Sequence, residues 1–311
     1  MSTRNRGLAL AGVTALISGV AIWVNSNGVA AYGSASAYTT AKNAMAAVVI
    51  ALAFVVARAV HRHAGSADAV ALTRPSRPGQ WVGLGYVAIL GGAVPFVLFF
   101  EGLASTASVQ AAFLHKTLIV WVAVIAVIAL KEKLTWWHVG AVVLIVLAQF
   151  GLAGNVALAA DRGTALIAGA TLLWAVEVVV AKRLLRDVTP WTVSIWRMAG
   201  GSLALLLWSA ATGTLGAIWP ATAAQWGWVL LTGVLLAGYV VSWHQALWRA
   251  PAVDVTAVLV LGAIVTALLA GAFDGAAVAA SAPWLALLAA AGVMIWLAPR
   301  LPGAYGRRGA T

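Results

Sequence analysis

The chain has 311 residues, 63% of them hydrophobic and 9% charged, with a net charge of +11 and a mean hydropathy of +0.98. Soluble domains run at about 45–50% apolar and about 25% charged, so an ordinary soluble globule, a disordered chain and a coiled coil are all excluded. The solvent for most of this surface must be lipid. Basic residues lie between apolar runs, which is a topology signal and not a nucleic-acid footprint. No cysteine is present, so disulfides, thiolate metal ligands and a Cys nucleophile are ruled out.

Breaks at Gly, Pro, polar and charged residues predict ten spanning helices, over 7–26, 38–60, 80–102, 105–128, 134–152, 163–184, 192–212, 224–247, 254–273 and 283–300. The alternation of a membrane barrel is missing. The expected fold class is an all-α polytopic membrane protein. The first apolar run, Leu8 to Val24, covers 17 residues. That exceeds a signal-peptide core of about 7–15 residues, so it is read as a retained helix and Ala35-Ser36-Ala37 as no cleavage site.

With the N-terminus inside, fifteen basic residues fall on the inner side, from Arg4 and Arg6 through Lys131, Lys133 and Lys182 to Arg300, Arg307 and Arg308. Only Arg162 falls outside. Both termini are therefore expected in the cytoplasm, in a bacterial-type inner membrane. Trp81, Trp136, Trp137, Trp191, Trp226, Trp284 and Trp296 lie near helix ends, as an interfacial belt should; Trp121 and Trp174 lie deep and do not belong to it.

The two halves align: Gly7 to Trp23 on Gly163 to Val179, Lys42 to Ala46 on Arg197 to Gly201, and Glu101 to Leu103 on Gln245 to Leu247. Residues 1–155 and 156–311 thus form two five-helix repeats. Five is odd, so the second repeat enters the membrane from the opposite side. Inverted repeats are a common construction of secondary transporters, with the site near the bilayer midplane. The alternative is that duplication only built a stable bundle.

The stretch from Phe99 to Leu152 runs Phe-Phe-Glu-Gly-Leu-Ala-Ser-Thr-Ala-Ser-Val-Gln-Ala-Ala, an apolar helix, the turn Lys131-Glu-Lys-Leu-Thr135, then Gly140 in another apolar helix. It resembles the drug/metabolite transporter (DMT) superfamily of EamA-type ten-helix exporters. Thr171-Leu-Leu-Trp174 through Lys182-Arg183-Leu184, and Trp196-Arg197, resemble its second-half pattern. At Phe273-Asp274-Gly275 the Glu-Lys-Leu-Thr turn is lost. Length, tryptophan content and the intact turn are most similar to the YddG-type aromatic amino acid exporters. The resemblance implies a central cavity lined by helices 1, 3, 4, 6, 8 and 9, and export of amino acids or related metabolites.

Charges deep in a bilayer cost at least about 2.5–3.5 kcal/mol on insertion scales and face a cavity or a partner. Lys116 and its neighbour His115 lie in mid-helix 4, about 100° apart around the axis, so both cannot face one cavity equally. Lys116 is read either as attracting a substrate carboxylate or as paired structurally with an acid. Glu177, one turn from Trp174, is read as a site for a substrate ammonium or coupling proton, or as that partner of Lys116. An outer latch of Lys42 with Glu101, and an inner latch of Arg197 with Gln245 or Asp254, are expected from the repeat; charges snorkelling to headgroups are the alternative. Tyr239, Trp243 and His244 face Phe96, Phe99 and Phe100 in the repeat, an aromatic wall or simple helix packing. Gly91, Gly92 and Pro95 are a candidate hinge in helix 3.

No Gly-Lys-Ser/Thr loop exists for ATP, no His-Glu-x-x-His for zinc, and Ser18 lacks a Gly-x-Ser-x-Gly setting. No cofactor, metal or catalytic activity is expected. The expected function is export of amino acids, aromatic ones first, by alternating access, with membrane lipid and a coupling proton as candidate partners. An exporter of other metabolites or cationic drugs is the same-fold alternative; a non-transporting membrane enzyme or scaffold is the alternative of another class.

Overall fold

The computed structural model describes residues 2–63, 70–106, 108–153, 161–273, 275 and 278–299. Asp274, Arg300, Arg307 and Arg308 lie outside them. Among the described residues there are ten helices long and apolar enough to cross a membrane, and no strand. They are α1 (Thr3–Tyr32), α2 (Ala35–Arg62), α3 (Pro78–Gly102), α4 (Phe113–Leu130), α5 (Trp136–Ala153), α6 (Arg162–Leu184), α7 (Pro190–Ala211), α8 (Ala223–Arg249), α9 (Ala252–Phe273) and α10 (Val278–Leu297).

Helix α1 exceeds its expected span at both ends. The Ser2 hydroxyl accepts from the Asn5 amide at 3.3 Å, which starts the helix early. At the other end the polar run after Val24 stays helical because Asn25 accepts hydrogen bonds from Tyr38 at 2.8 Å and Lys42 at 3.2 Å. The helix stops at Gly33, whose φ of 66° needs no Cβ. Three helices carry a π-helical turn inside the span, at Val87–Gly91, Ala126–Leu130 and Trp196–Gly200.

Packing between the halves is reciprocal. Helix α1 lies along α8 and α9, and its repeat mate α6 lies along α3 and α4. Helix α2 packs on α7 and α8, and its mate α7 on α2 and α3. The remaining pairs, α4 with α9 and α5 with α10, join each helix to its own mate. Each of these contacts therefore recurs with the halves exchanged, as two inverted five-helix repeats require. Outward faces are apolar stripes: Val139, Val143, Leu147 and Phe150 on α5, and Trp121, Val124 and Ile128 on α4. Exposed apolar stripes at helical spacing in mid-span are what lipid contact demands.

The start of α1 and the end of α10 reach one face. Arg4 donates to the Ile295 carbonyl at 2.6 Å and to Asp254 at 2.8 Å, and His138 lies 2.9 Å from the other Asp254 oxygen. At that face Glu132, in the α4–α5 turn, accepts from the Ala252 amide at 2.8 Å and the Val253 amide at 3.3 Å. The acid of the Glu-Lys-Leu-Thr turn thus caps α9 of the other half, placing negative charge at a helix N-terminus. Burial pushes the Glu132 carboxyl above the usual carboxylate range, against the pull of those two amides and of Lys182. Lys182 in turn donates to the Leu247 carbonyl at 2.5 Å and the Ala250 carbonyl at 2.7 Å, at the end of α8. Leu130, Ala250, Ala252 and Val253 are buried beside these groups, so the helix ends are tightly packed at the face bearing the N-terminus.

Candidate functional site

The site begins with one backbone atom. In an unbroken helix the Gly91 carbonyl would accept from the amide of residue 95, but that residue is Pro95 and has no N–H. Helix α3 accordingly leaves its π-turn at Gly91 and restarts at Val94. The freed carbonyl accepts from the Trp174 indole at 3.0 Å and the Arg197 guanidinium at 3.3 Å. The glycines allow this crossing. A Cβ on Gly91 would meet the Glu177 side chain, and one on Gly92 would meet the Arg197 carbonyl of α7. The break expected at Gly91, Gly92 and Pro95 is thus where two helices of the opposite half attach.

Glu177 and Arg197 form a buried pair, Nε to Oε1 at 3.0 Å, with side chains 3% and 6% exposed. Adjacent helices α6 and α7 present them from one repeat. His244 on α8 is fully buried; its Nδ1 meets the Ser194 hydroxyl at 2.9 Å, while its Nε2 faces Glu177 at 3.9 Å, beyond hydrogen-bond length. Rings surround the pair. Phe96 stands edge-on to Trp174 at 5.3 Å and under the Arg197 guanidinium at 5.9 Å. Phe99 and His115 lie 5.7 and 5.0 Å from Trp174. Tyr239 stacks on Trp243 at 6.1 Å. His115 Nδ1 and His244 Nε2 are buried without a hydrogen-bond partner among the described residues. Each can take a further hydrogen bond.

The structure brings together Trp174, Glu177, Arg197, His244, His115 and Tyr239, with Trp243 backing Tyr239. It separates other expected pairs. Lys116 does not meet Glu177: it lies, 9% exposed, in a groove of about 380 Å³ between α4, α5 and α6, with Gln149, Thr117, Trp121 and Phe150. Arg197 takes the acid instead, because α6 and α7 both meet α3 at the Gly91 break. Lys42 does not meet Glu101 either. It is buried on Asn25 and over the rings of Tyr38 and Phe100, 5.2 Å from each. Glu101 is exposed in a separate cleft with Ser105, Asp161 and Arg162. The inner latch also pairs otherwise: Arg197 with Glu177, Gln245 with Arg249, and Asp254 with Arg4 and His138. In each case sequence depth placed the charge at a level in the membrane but gave no direction around the helix axis.

Sequence reasoning missed Ser194, the Gly91 carbonyl as an acceptor, and Asn25. Only Gly91 carried a signal, four residues before Pro95. The capping role of Glu132 was signalled by its motif but given no task.

Known proteins bear on the fold as follows. The EamA-like transporter family matches residues 5–154 and again residues 161–298, nearly the whole chain. No curated protein matches the chain. A solved crystal structure superposes with a TM-score of 0.68 at 20% identity, over 92% of this chain and 95% of that one, a likeness of fold alone.

Proposed function

Because this chain belongs to the EamA-like transporter family, we propose that it is a secondary transporter exporting amino acids, aromatic ones first, across a bacterial-type inner membrane by alternating access. The observation that carries this reading is the buried Glu177–Arg197 pair beneath Trp174, Phe96 and Phe99, with two ring nitrogens free to bind. A zwitterion suits such a pair: its ammonium replaces Arg197 at Glu177, and its carboxylate replaces Glu177 at Arg197. An aromatic side chain stacks on the ring cluster, where edge-on pairs contribute about 0.5–1.5 kcal/mol beyond area burial. His115 and His244 supply further hydrogen bonds. With both termini cytoplasmic, the packed face of Arg4, Glu132, Asp254 and Lys182 is the closed inner gate, and Gly91 to Pro95 is the hinge between the halves. Glu177 is the carboxylate placed to carry a coupling proton, since its partner changes when substrate binds.

The test is flux of labelled phenylalanine or tryptophan in proteoliposomes, with and without an imposed pH gradient. Saturable flux, competed by other aromatic amino acids and abolished in Arg197→Met, is expected. No flux beside a functioning control transporter overturns the substrate assignment and leaves metabolites or cationic drugs. Flux indifferent to the gradient removes the coupling role of Glu177.

A further inference from the structure

The charge that left the central cluster has a place of its own. Lys116 lines the groove between α4, α5 and α6, and among the described residues no acid or hydrogen-bond acceptor pairs with it. Gln149 lies in the same groove, 9% exposed, with its Nε2 unpaired. Apart from Thr117, the rest of the lining is apolar, including Val120, Trp121, Ile145 and Val146. The groove opens to lipid, because Trp121 and Phe150 at its rim belong to the exposed stripes of α4 and α5.

The groove is also polar at one end only. Lys116, Thr117 and Gln149 lie toward the face opposite the N-terminus. One turn deeper, Val120 and Trp121 on α4 face Ile145 and Val146 on the antiparallel α5. Phe113 and Phe150, 4.8 Å apart, close the polar end. Lys116 stands three positions past Phe113, where α4 starts, and is only 9% exposed. A buried cation with no acid beside it needs an anion brought to it.

We propose that this groove binds a single-chain lipid carboxylate, a fatty acid, from the bilayer. The Lys116 ammonium and the Gln149 amide hold the carboxylate, and the acyl chain runs inward along Val120, Trp121, Ile145 and Val146. One cation and one amide match one carboxylate; a diacyl phospholipid brings a larger headgroup and a second chain than a groove of about 380 Å³ between three helices takes. Trp121, deep and outside the interfacial belt, forms the wall of the tail channel. This site is separate from the Glu177–Arg197 cluster and does not depend on the transport reading.

The experiment uses the full chain in neutral phosphatidylcholine nanodiscs, titrated with palmitate brominated on its tail, with tryptophan fluorescence as readout. Saturable quenching is expected, and Trp121→Phe removes that component. Lys116→Met weakens binding about tenfold or more, Lys116→Arg keeps it, and Gln149→Leu weakens it as well, which serves as the readout if Lys116→Met does not fold. Quenching that rises linearly without saturation, equal quenching by the brominated alcohol, displacement by phosphatidylglycerol at equal concentration, or equal affinity in Lys116→Met and Gln149→Leu each overturns the site.

Discussion

Removing one end of the Glu177–Arg197 pair, and then both, separates a structural ion pair from two independent charges. The side chains are 3% and 6% exposed and meet at 3.0 Å. Deleting one partner of a buried pair costs about 3–5 kcal/mol, because the other charge stays buried alone. Replacing both with apolar groups of similar size is often neutral. The surroundings tolerate this: the Gly91 carbonyl keeps its bond from Trp174, and His244, at 3.9 Å, is too far to replace the guanidinium. Glu177→Met and Arg197→Met are therefore each expected to lose about 3–5 kcal/mol. The double variant is expected to lose less than about 2 kcal/mol, a coupling of at least about 4 kcal/mol. At about 2–4 °C per kcal/mol, each single variant melts about 6–20 °C lower. Thermal unfolding of the four proteins in one detergent, followed by tryptophan fluorescence, reads this cycle. Losses that simply add in the double variant would refute the pair as a unit.

Three further outcomes follow from the geometry. Glu132→Ala leaves the amides of Ala252 and Val253 without their cap and is expected to cost about 1–3 kcal/mol; because the chain lacks cysteine, a single reporter cysteine at Ala250 should also label faster. Since burial raises the Glu132 carboxyl, its share of stability is present below the ordinary glutamate range and is lost as pH rises through the elevated value. The melting temperature of wild type relative to Glu132→Gln should thus fall from pH 4 to pH 8, and a flat or rising difference would count against a buried charge there. Gly92→Ala drives a methyl into the backbone of α7 and is expected to cost about 1–3 kcal/mol by overpacking, read in the same melt; Gly85→Ala, with open space around its Cβ, is the control.

The spans were legible because lipid imposes a length and a composition that no other setting asks of a sequence. Pro95 and the two glycines before it were legible for the same local reason, a missing donor and a missing side chain. The partners of the buried charges were not. Lys116 and Glu177 both read as mid-membrane, yet one turns to the α4–α5–α6 groove and the other to α7. Two tryptophans outside the belt, Trp121 and Trp174, were the better markers: one walls the lateral groove and the other roofs the central cluster. Asn25 and Ser194 gave no signal, since a small polar residue in an apolar helix reads alike whether or not it holds a partner.

The reciprocal packing of the halves does not extend to their chemistry. Lys42 and Arg197 occupy equivalent positions, as do Phe100 and His244, yet one cation rests on rings and an amide oxygen while the other holds the buried carboxylate. A motion that exchanges the roles of the halves would carry one packing arrangement into its mirror while moving the acid to only one side. On the proposed alternating-access reading, the Glu177–Arg197 pair and the Arg4–Asp254 and Glu132–Ala252 contacts of the N-terminal face weigh the two end states unequally, so a change of charge at either place would shift the balance between them.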